Sequence, residues 1–132
     1  MNPEERRDLI NYRINRAKET LVEANDLNKL GHFNTAVNRI YYACYYAVAA
    51  LMIKKQLAAK THEGVRQMFG LHYIKSGLIS KEYGKYFTDL YDRRQTGDYD
   101  DFVVYNKETV EELYKPALDF IITIEKFIES EE

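Results

Sequence analysis

The chain of 132 residues has no tryptophan, one cysteine, two prolines and three histidines. A lone Cys44 excludes an intramolecular disulfide and a cysteine-rich zinc site, and it fits a reducing compartment. His32, His62 and His72 include no pair at the four-residue spacing of a helical metal site, so no metal and no other cofactor is expected. Glycine-rich phosphate loops of the Walker or dinucleotide type are absent. A Ser or Cys triad has no support, because Cys44 lies in the most apolar stretch and reads as structural. The N-terminus shows no signal pattern and no apolar run is long enough to span a bilayer. The expectation is a cytoplasmic protein without membrane contact.

What the chain does have is aromatic surplus: 12 tyrosines and 6 phenylalanines. A tyrosine buries a large ring but needs a partner for its hydroxyl, which suits amphipathic seams and interfaces. The length and ordinary apolar content predict one domain over residues 1–132 with a real core. The net charge of −2 hides an asymmetry. Residues 34–94 carry ten Lys/Arg against four acids, and residues 106–132 carry three Lys against eight acids. Either an anionic ligand sits at the centre, or the two segments complement each other within the fold, which is the simpler reading.

Steps of three and four dominate the apolar pattern. Ile10, Ile14, Ala17, Leu21, Ala24 and Leu27 predict a first helix from about Asp8 to Lys29, closed by Gly31. A second helix, roughly Asn34 to Gln56, is apolar almost all round and belongs at the hub. Arg39 stands at its polar margin or is held by a carboxylate inside; the margin is favoured. Thr61 caps a third helix from His62 to about Lys75, with Val65, Met68, Phe69 and His72 on one face. Ser80 caps a fourth that runs into Arg93-Arg94. Asn106 caps the last, whose Pro116 should kink or split it near Tyr114. The sum is an all-α, up-and-down bundle of about five helices.

The run Arg93-Arg94-Gln-Thr-Gly97-Asp98-Tyr99-Asp-Asp-Phe102 breaks this pattern. Gly97 predicts a helix stop, with Asp98 to Tyr105 as exit loop. The plainest account is a helix C-terminus with basic residues near its carbonyls. Arg94 and Asp98 pair if the helix reaches them both. A polar constellation of Arg39, His62, Arg94, Asp98 and Tyr99 remains as the candidate site.

Arg39-Ile-Tyr-Tyr-Ala-Cys-Tyr-Tyr-Ala, then Thr61-His62-Glu-Gly-Val, then Arg94-Gln-Thr-Gly-Asp98-Tyr99 resemble the HEPN family (higher eukaryotes and prokaryotes nucleotide-binding domain). The likeness is to its small stand-alone prokaryotic branch with an Arg…Asp-Tyr signature, and it covers about residues 8 to 128. It implies a helical bundle that usually forms a homodimer, with signature groups facing a cleft at the interface. Many members are metal-independent endoribonucleases and several are toxins, often beside a minimal nucleotidyltransferase that serves as antitoxin. Their ribonuclease motif is Arg, four to six residues, then His. Here that His is missing: the register after Arg93 or Arg94 falls on Asp98 to Asp101, and no His follows His72.

Metal-free RNA cleavage needs a base for the 2′-hydroxyl and an acid for the leaving oxygen. Arg stabilises charge but shuttles no proton near neutral pH, whereas His does. The resemblance therefore implies an RNA- or nucleotide-binding module that is the dimeric partner of a nucleotidyltransferase in a toxin–antitoxin-type system. Arg39 and Arg94 would grip phosphate, Asp98 would orient Arg94, and Tyr99 would stack on a base. The first alternative is an endoribonuclease toxin in which His62 or Asp98 replaces the missing His. The second is a structural dimerisation domain with Arg94 and Asp98 as a mere salt bridge.

Overall fold

The computed structural model describes residues 1–131, which form five α-helices and no strand. α1 spans Pro3–Lys29, α2 Phe33–Lys54, α3 His62–Phe69, α4 Lys81–Tyr99 and α5 Lys107–Ser130. α2 lies at the centre and touches each of the other four. Its Ala43, Cys44, Ala47 and Ala50 are fully buried, and these small residues let the neighbouring backbones come close.

α1 begins five residues earlier than the apolar pattern predicts. Asn2 accepts from the Glu5 amide and the Glu5 carboxylate accepts from the Asn2 amide, so a reciprocal cap starts the helix at Pro3. Gly31, at φ +82°, turns the chain into α2 as expected. α2 stops at Lys54, short of Gln56, which adopts a left-handed φ of +56°.

The third helix is not one α-helix to Lys75. It ends at Phe69 and widens into a π-helical turn over Gly70–Ile74, where the Lys75 amide donates five residues back to the Gly70 carbonyl at 2.8 Å. Tyr73 is the buried residue of this turn and His72 is exposed, which corrects the expected face. Ser80 occupies the N-cap position of α4, but its hydroxyl makes no capping bond.

α4 also departs from expectation, running through Gly97 to Tyr99, so Asp98 is helical and not in the exit loop. Gly97 serves a close approach rather than a chain reversal. A Cβ there would stand 2.8 Å from Cε2 of Tyr105. That ring is anchored, because Tyr105 Oη donates to the Arg93 carbonyl at 2.7 Å and its amide donates to Asn34 Oδ1 at 2.8 Å. Asn34 Nδ2 also donates to the Val103 carbonyl at 2.9 Å and the Gly97 carbonyl at 3.4 Å. Gly97→Ala gains roughly 1 kcal/mol of helix propensity but overpacks by about 1–3 kcal/mol. The expected result is a net loss of about 1 kcal/mol by urea unfolding; a gain in stability would mean that Tyr105 yields freely.

Asn106 caps α5 as expected, accepting from the Thr109 amide at 2.9 Å. α5 continues unbroken through Pro116, so the proline does not split it. A proline removes one intrahelical bond, and the buried face from Leu113 through Ala117 to Phe120 carries the helix across that gap. Between the basic segment and the acidic tail, the described residues form one ion pair, Lys55–Glu131 at 3.2 Å. The tail therefore neutralises little of the basic middle.

Candidate functional site

Three tyrosines hold a guanidinium. Arg94 is 8% exposed, and its Cζ lies 5.0 Å from the Tyr41 ring centroid, 5.8 Å from Tyr42 and 5.8 Å from Tyr91. Tyr41 and Tyr42 come from α2, Tyr91 from one turn earlier on α4, and the α2–α4 packing brings the two sets together. The ring faces favour a cation by their quadrupole. Hydrogen-bond acceptors are another matter. Arg94 Nε is buried with no partner, and the nearest carboxylate oxygen, Asp98 Oδ2, is 4.0 Å from Nη1.

Asp98 is tied elsewhere. Asn38 Nδ2 donates to its Oδ2 at 2.8 Å, and Asn38 Oδ1 accepts from Nε and Nη2 of Arg39 at 3.1 and 2.9 Å. Arg39 is half-buried, 4.9 Å above the Tyr42 ring, and held by an amide rather than a carboxylate; it is at the margin of α2. Arg39, Asn38 and Asp98 thus form a relay beside Arg94 that leaves the Arg94 guanidinium short of acceptors.

His62, at the first position of α3, joins the same aromatic cluster. Its Nδ1 is 2.8 Å from Tyr41 Oη, and its ring centroid is 4.4 Å from Tyr45 and 5.5 Å from Tyr42. Burial first, and the Arg94 charge second, hold its pKa below the ordinary 6.5. Burial pushes the Tyr41 phenol up, so it stays protonated and can donate to Nδ1 of the neutral imidazole. Tyr41 is therefore shared: its ring faces Arg94 and its hydroxyl meets His62.

The lowered His62 pKa fixes a sign. As pH falls below 6.5 the unfolded chain takes up this proton before the folded one does, so folding stability drops. His62→Gln is expected to lose less melting temperature than the native chain between about pH 7.5 and about pH 5.5. Equal losses in the two proteins would remove His62 as the source.

Of the five residues singled out in the sequence, Arg39, His62, Arg94 and Asp98 stand around Tyr41, Tyr42 and Asn38. Tyr99 is the last residue of α4 and 74% exposed, outside the aromatic cluster. Sequence reasoning missed Asn38, Tyr91 and the specific role of Tyr41. The signals were present as Asn38 beside Arg39 and Tyr91 one turn before Arg94, but only tertiary packing makes them a group. Among the described residues no cluster of His, Cys, Asp and Glu suits a metal ion, and no helix is long and apolar enough to cross a membrane.

Fold and site together define a small helical-bundle module with a buried, acceptor-poor arginine in an aromatic cluster. The chain belongs to the HEPN family: the HEPN domain model matches residues 10–127. It is 39% identical over 125 residues to a "UPF0332 protein" of Thermotoga maritima, covering 95% of each chain. It is 33% identical over 115 residues to "Putative toxin MJ0142" of Methanocaldococcus jannaschii, covering 87% of this chain and 78% of the relative. A second protein of that organism, "Putative toxin MJ0605", is 33% identical over 125 residues, covering 88% and 93%.

Proposed function

We propose that this HEPN protein binds RNA or a nucleotide through phosphate at the Arg94 cluster, as the toxin-side homodimeric partner of a separately encoded nucleotidyltransferase. The observation that carries the reading is the buried Arg94 guanidinium, whose Nε has no hydrogen-bond partner. A buried Nε–H without an acceptor is unfavourable by itself, and an incoming phosphate oxygen would supply the guanidinium with what Asp98 at 4.0 Å does not. Arg39, half-buried over Tyr42, stands ready for a second phosphate oxygen. Tyr99, Phe102 and Val104, exposed and just after Asp98 in the chain, suit base stacking or contact with a second copy. The toxin role rests on the names of the two archaeal relatives.

A second reading is an endoribonuclease, favoured by His62. Its imidazole is neutral at pH 7 and part of the Arg94 cluster, and in the tautomer whose Nδ1–H donates to Tyr41 Oη its Nε2 is left free as a base for the 2′-hydroxyl. Arg94 would then stabilise the phosphorane. The deciding experiment incubates the purified protein with mixed-sequence RNA in a metal chelator, scoring binding and cleavage beside Arg94→Ala and His62→Ala. Binding without cleavage, lost in Arg94→Ala, is the expected outcome. Cleavage lost in both variants would replace it with the ribonuclease. Binding that survives Arg94→Ala would leave the Arg94–Asp98 pair a structural contact.

A further inference from the structure

A groove of about 660 Å³ runs between the π-turn after α3 and one face of α4. Its apolar lining comes from Leu71 and Ile74 over the buried Phe69 and Phe87, and its rim carries Arg66, Lys75, Lys81 and Lys85. The volume lies within the range of pockets that take small organic groups. Two glycines shape it. At Gly84 a Cβ would meet Ile74 Cγ1 at 3.0 Å, so α4 and the π-turn close on each other there. At Gly70 a Cβ would meet nothing within 4 Å, although the backbone is ordinary right-handed helix at φ −59°. Gly70 faces the open groove.

The rim is unneutralised. Lys75, Lys81 and Lys85 form no ion pair among the described residues, and Arg66 reaches only Glu63 Oε1 at 3.8 Å, with its Nε unpartnered. Two carboxylates share the wall. Asp89 is engaged by Arg93 Nε at 3.1 Å, which leaves Asp92 as the free acid at the far end of the α4 face from Lys81. The groove is thus basic at the Lys81–Lys85 end and carries Asp92 at the other.

Arg66 joins this groove to the Arg94 cluster. Its Cζ lies 5.2 Å from the Tyr91 ring centroid, and Arg94 Cζ lies 5.8 Å from the same centroid. One tyrosine therefore carries a guanidinium from each site. We infer that the groove seats further nucleotides of a single-stranded RNA, two or more steps along from the phosphate held at Arg94, with a base in the groove and phosphate at Lys81 and Lys85. The spacing follows because Lys85 stands nine residues from Arg94 on α4, about 13 Å along the helix axis. The inference rests on the reading of the Arg94 cluster given above. A single strand fits because its bases are free to enter an apolar groove while its backbone follows the cations.

The test compares a dinucleotide with a decanucleotide, both 2′-O-methylated so that neither is cleaved through its own 2′-oxygen, by fluorescence anisotropy. Gly70→Phe fills the groove from a position with room for a side chain, so it keeps the fold. Lys81→Glu/Lys85→Glu reverses the rim on exposed positions. The native protein is expected to bind the longer strand at least about tenfold more tightly, and both variants to lose that preference while keeping dinucleotide affinity. Reversing the rim should also flatten the salt dependence by roughly 0.7 of a log unit per lysine. Arg94→Ala should weaken both ligands. If the variants bind the decanucleotide as the native chain does, or the native chain shows no length preference, the groove inference fails and the Arg94 reading stands. If Arg94→Ala changes neither ligand, that reading fails, and the inference with it. An acidic helical peptide forms the last arm: loss of peptide binding alone in the groove variants would make this a protein-docking surface and overturn the nucleotide.

Discussion

Arg94→Met is expected to bind RNA at least about tenfold more weakly than the native chain and yet to melt no lower. Removing a guanidinium from phosphate forfeits a charge-assisted hydrogen bond, worth roughly 1.5–3 kcal/mol, or about ten- to a hundredfold in affinity. Stability goes the other way because of where the cation sits. Burying it costs several kcal/mol, and an Asp98 oxygen 4.0 Å away on a side chain 30% exposed returns little of that. The three ring faces return about 0.5–2 kcal/mol each. Methionine keeps much of the ring contact through sulfur, at roughly 0.3–1.5 kcal/mol, and has no charge to desolvate. Thermal unfolding and anisotropy on the same preparation decide it. A variant that melts several degrees lower and still binds would show Arg94 to be a structural residue.

Phe87→Ala is expected to cost about 3–5 kcal/mol, the largest loss of any single core truncation in the bundle. The residue is fully buried on α4. It stacks on Tyr41 at 5.7 Å and 15°, and on Phe120 at 5.8 Å and 19°, with the edge of Phe69 at 5.6 Å and 80°. Rings from α2, α3 and α5 therefore meet on it, and none can collapse into the vacated space without leaving its own helix. Out of a total stability of roughly 5–15 kcal/mol, such a loss should lower the melting temperature by about 10 °C or more. Phe87→Leu, which keeps most of the volume, should cost less than half as much. Alanine tolerated within a few degrees would mean that the aromatic stack repacks.

The bundle was legible because its helices advertise their buried faces. Ile10, Ile14, Ala17, Leu21 and Ala24 are all buried, and α2, apolar nearly all round, is the hub. The ends were harder. Asn2 and Glu5 form a reciprocal cap that lay in plain sight, but the polar run Glu4 to Asp8 carries no apolar step of three or four to draw the eye to it. Gly70 reads as an interior position of the third helix and Gly97 as a helix stop. One instead widens a helix and the other admits the Tyr105 ring, and sequence does not distinguish a glycine that turns from a glycine that yields space. At the candidate site, Arg94, His62 and Arg39 were picked by residue type and by resemblance. Their common neighbours Tyr41, Tyr42 and Asn38 were hidden among residues that also read as core.

Asn34 has a consequence for motion. Through one side chain it ties the Val103 carbonyl, the Gly97 carbonyl and the Tyr105 amide to the start of α2. Phe102 and Val104, pointing outward, add no anchorage. The stretch from Asp100 to Tyr105 can therefore detach as a unit, at a free energy set by this one amide and the Tyr105 ring, far below that of unfolding the bundle. In deuterated solvent the Tyr105 amide would exchange long before the amides of α2. Whatever binds beside Asp98 and Tyr99 meets an edge that breathes against a rigid wall.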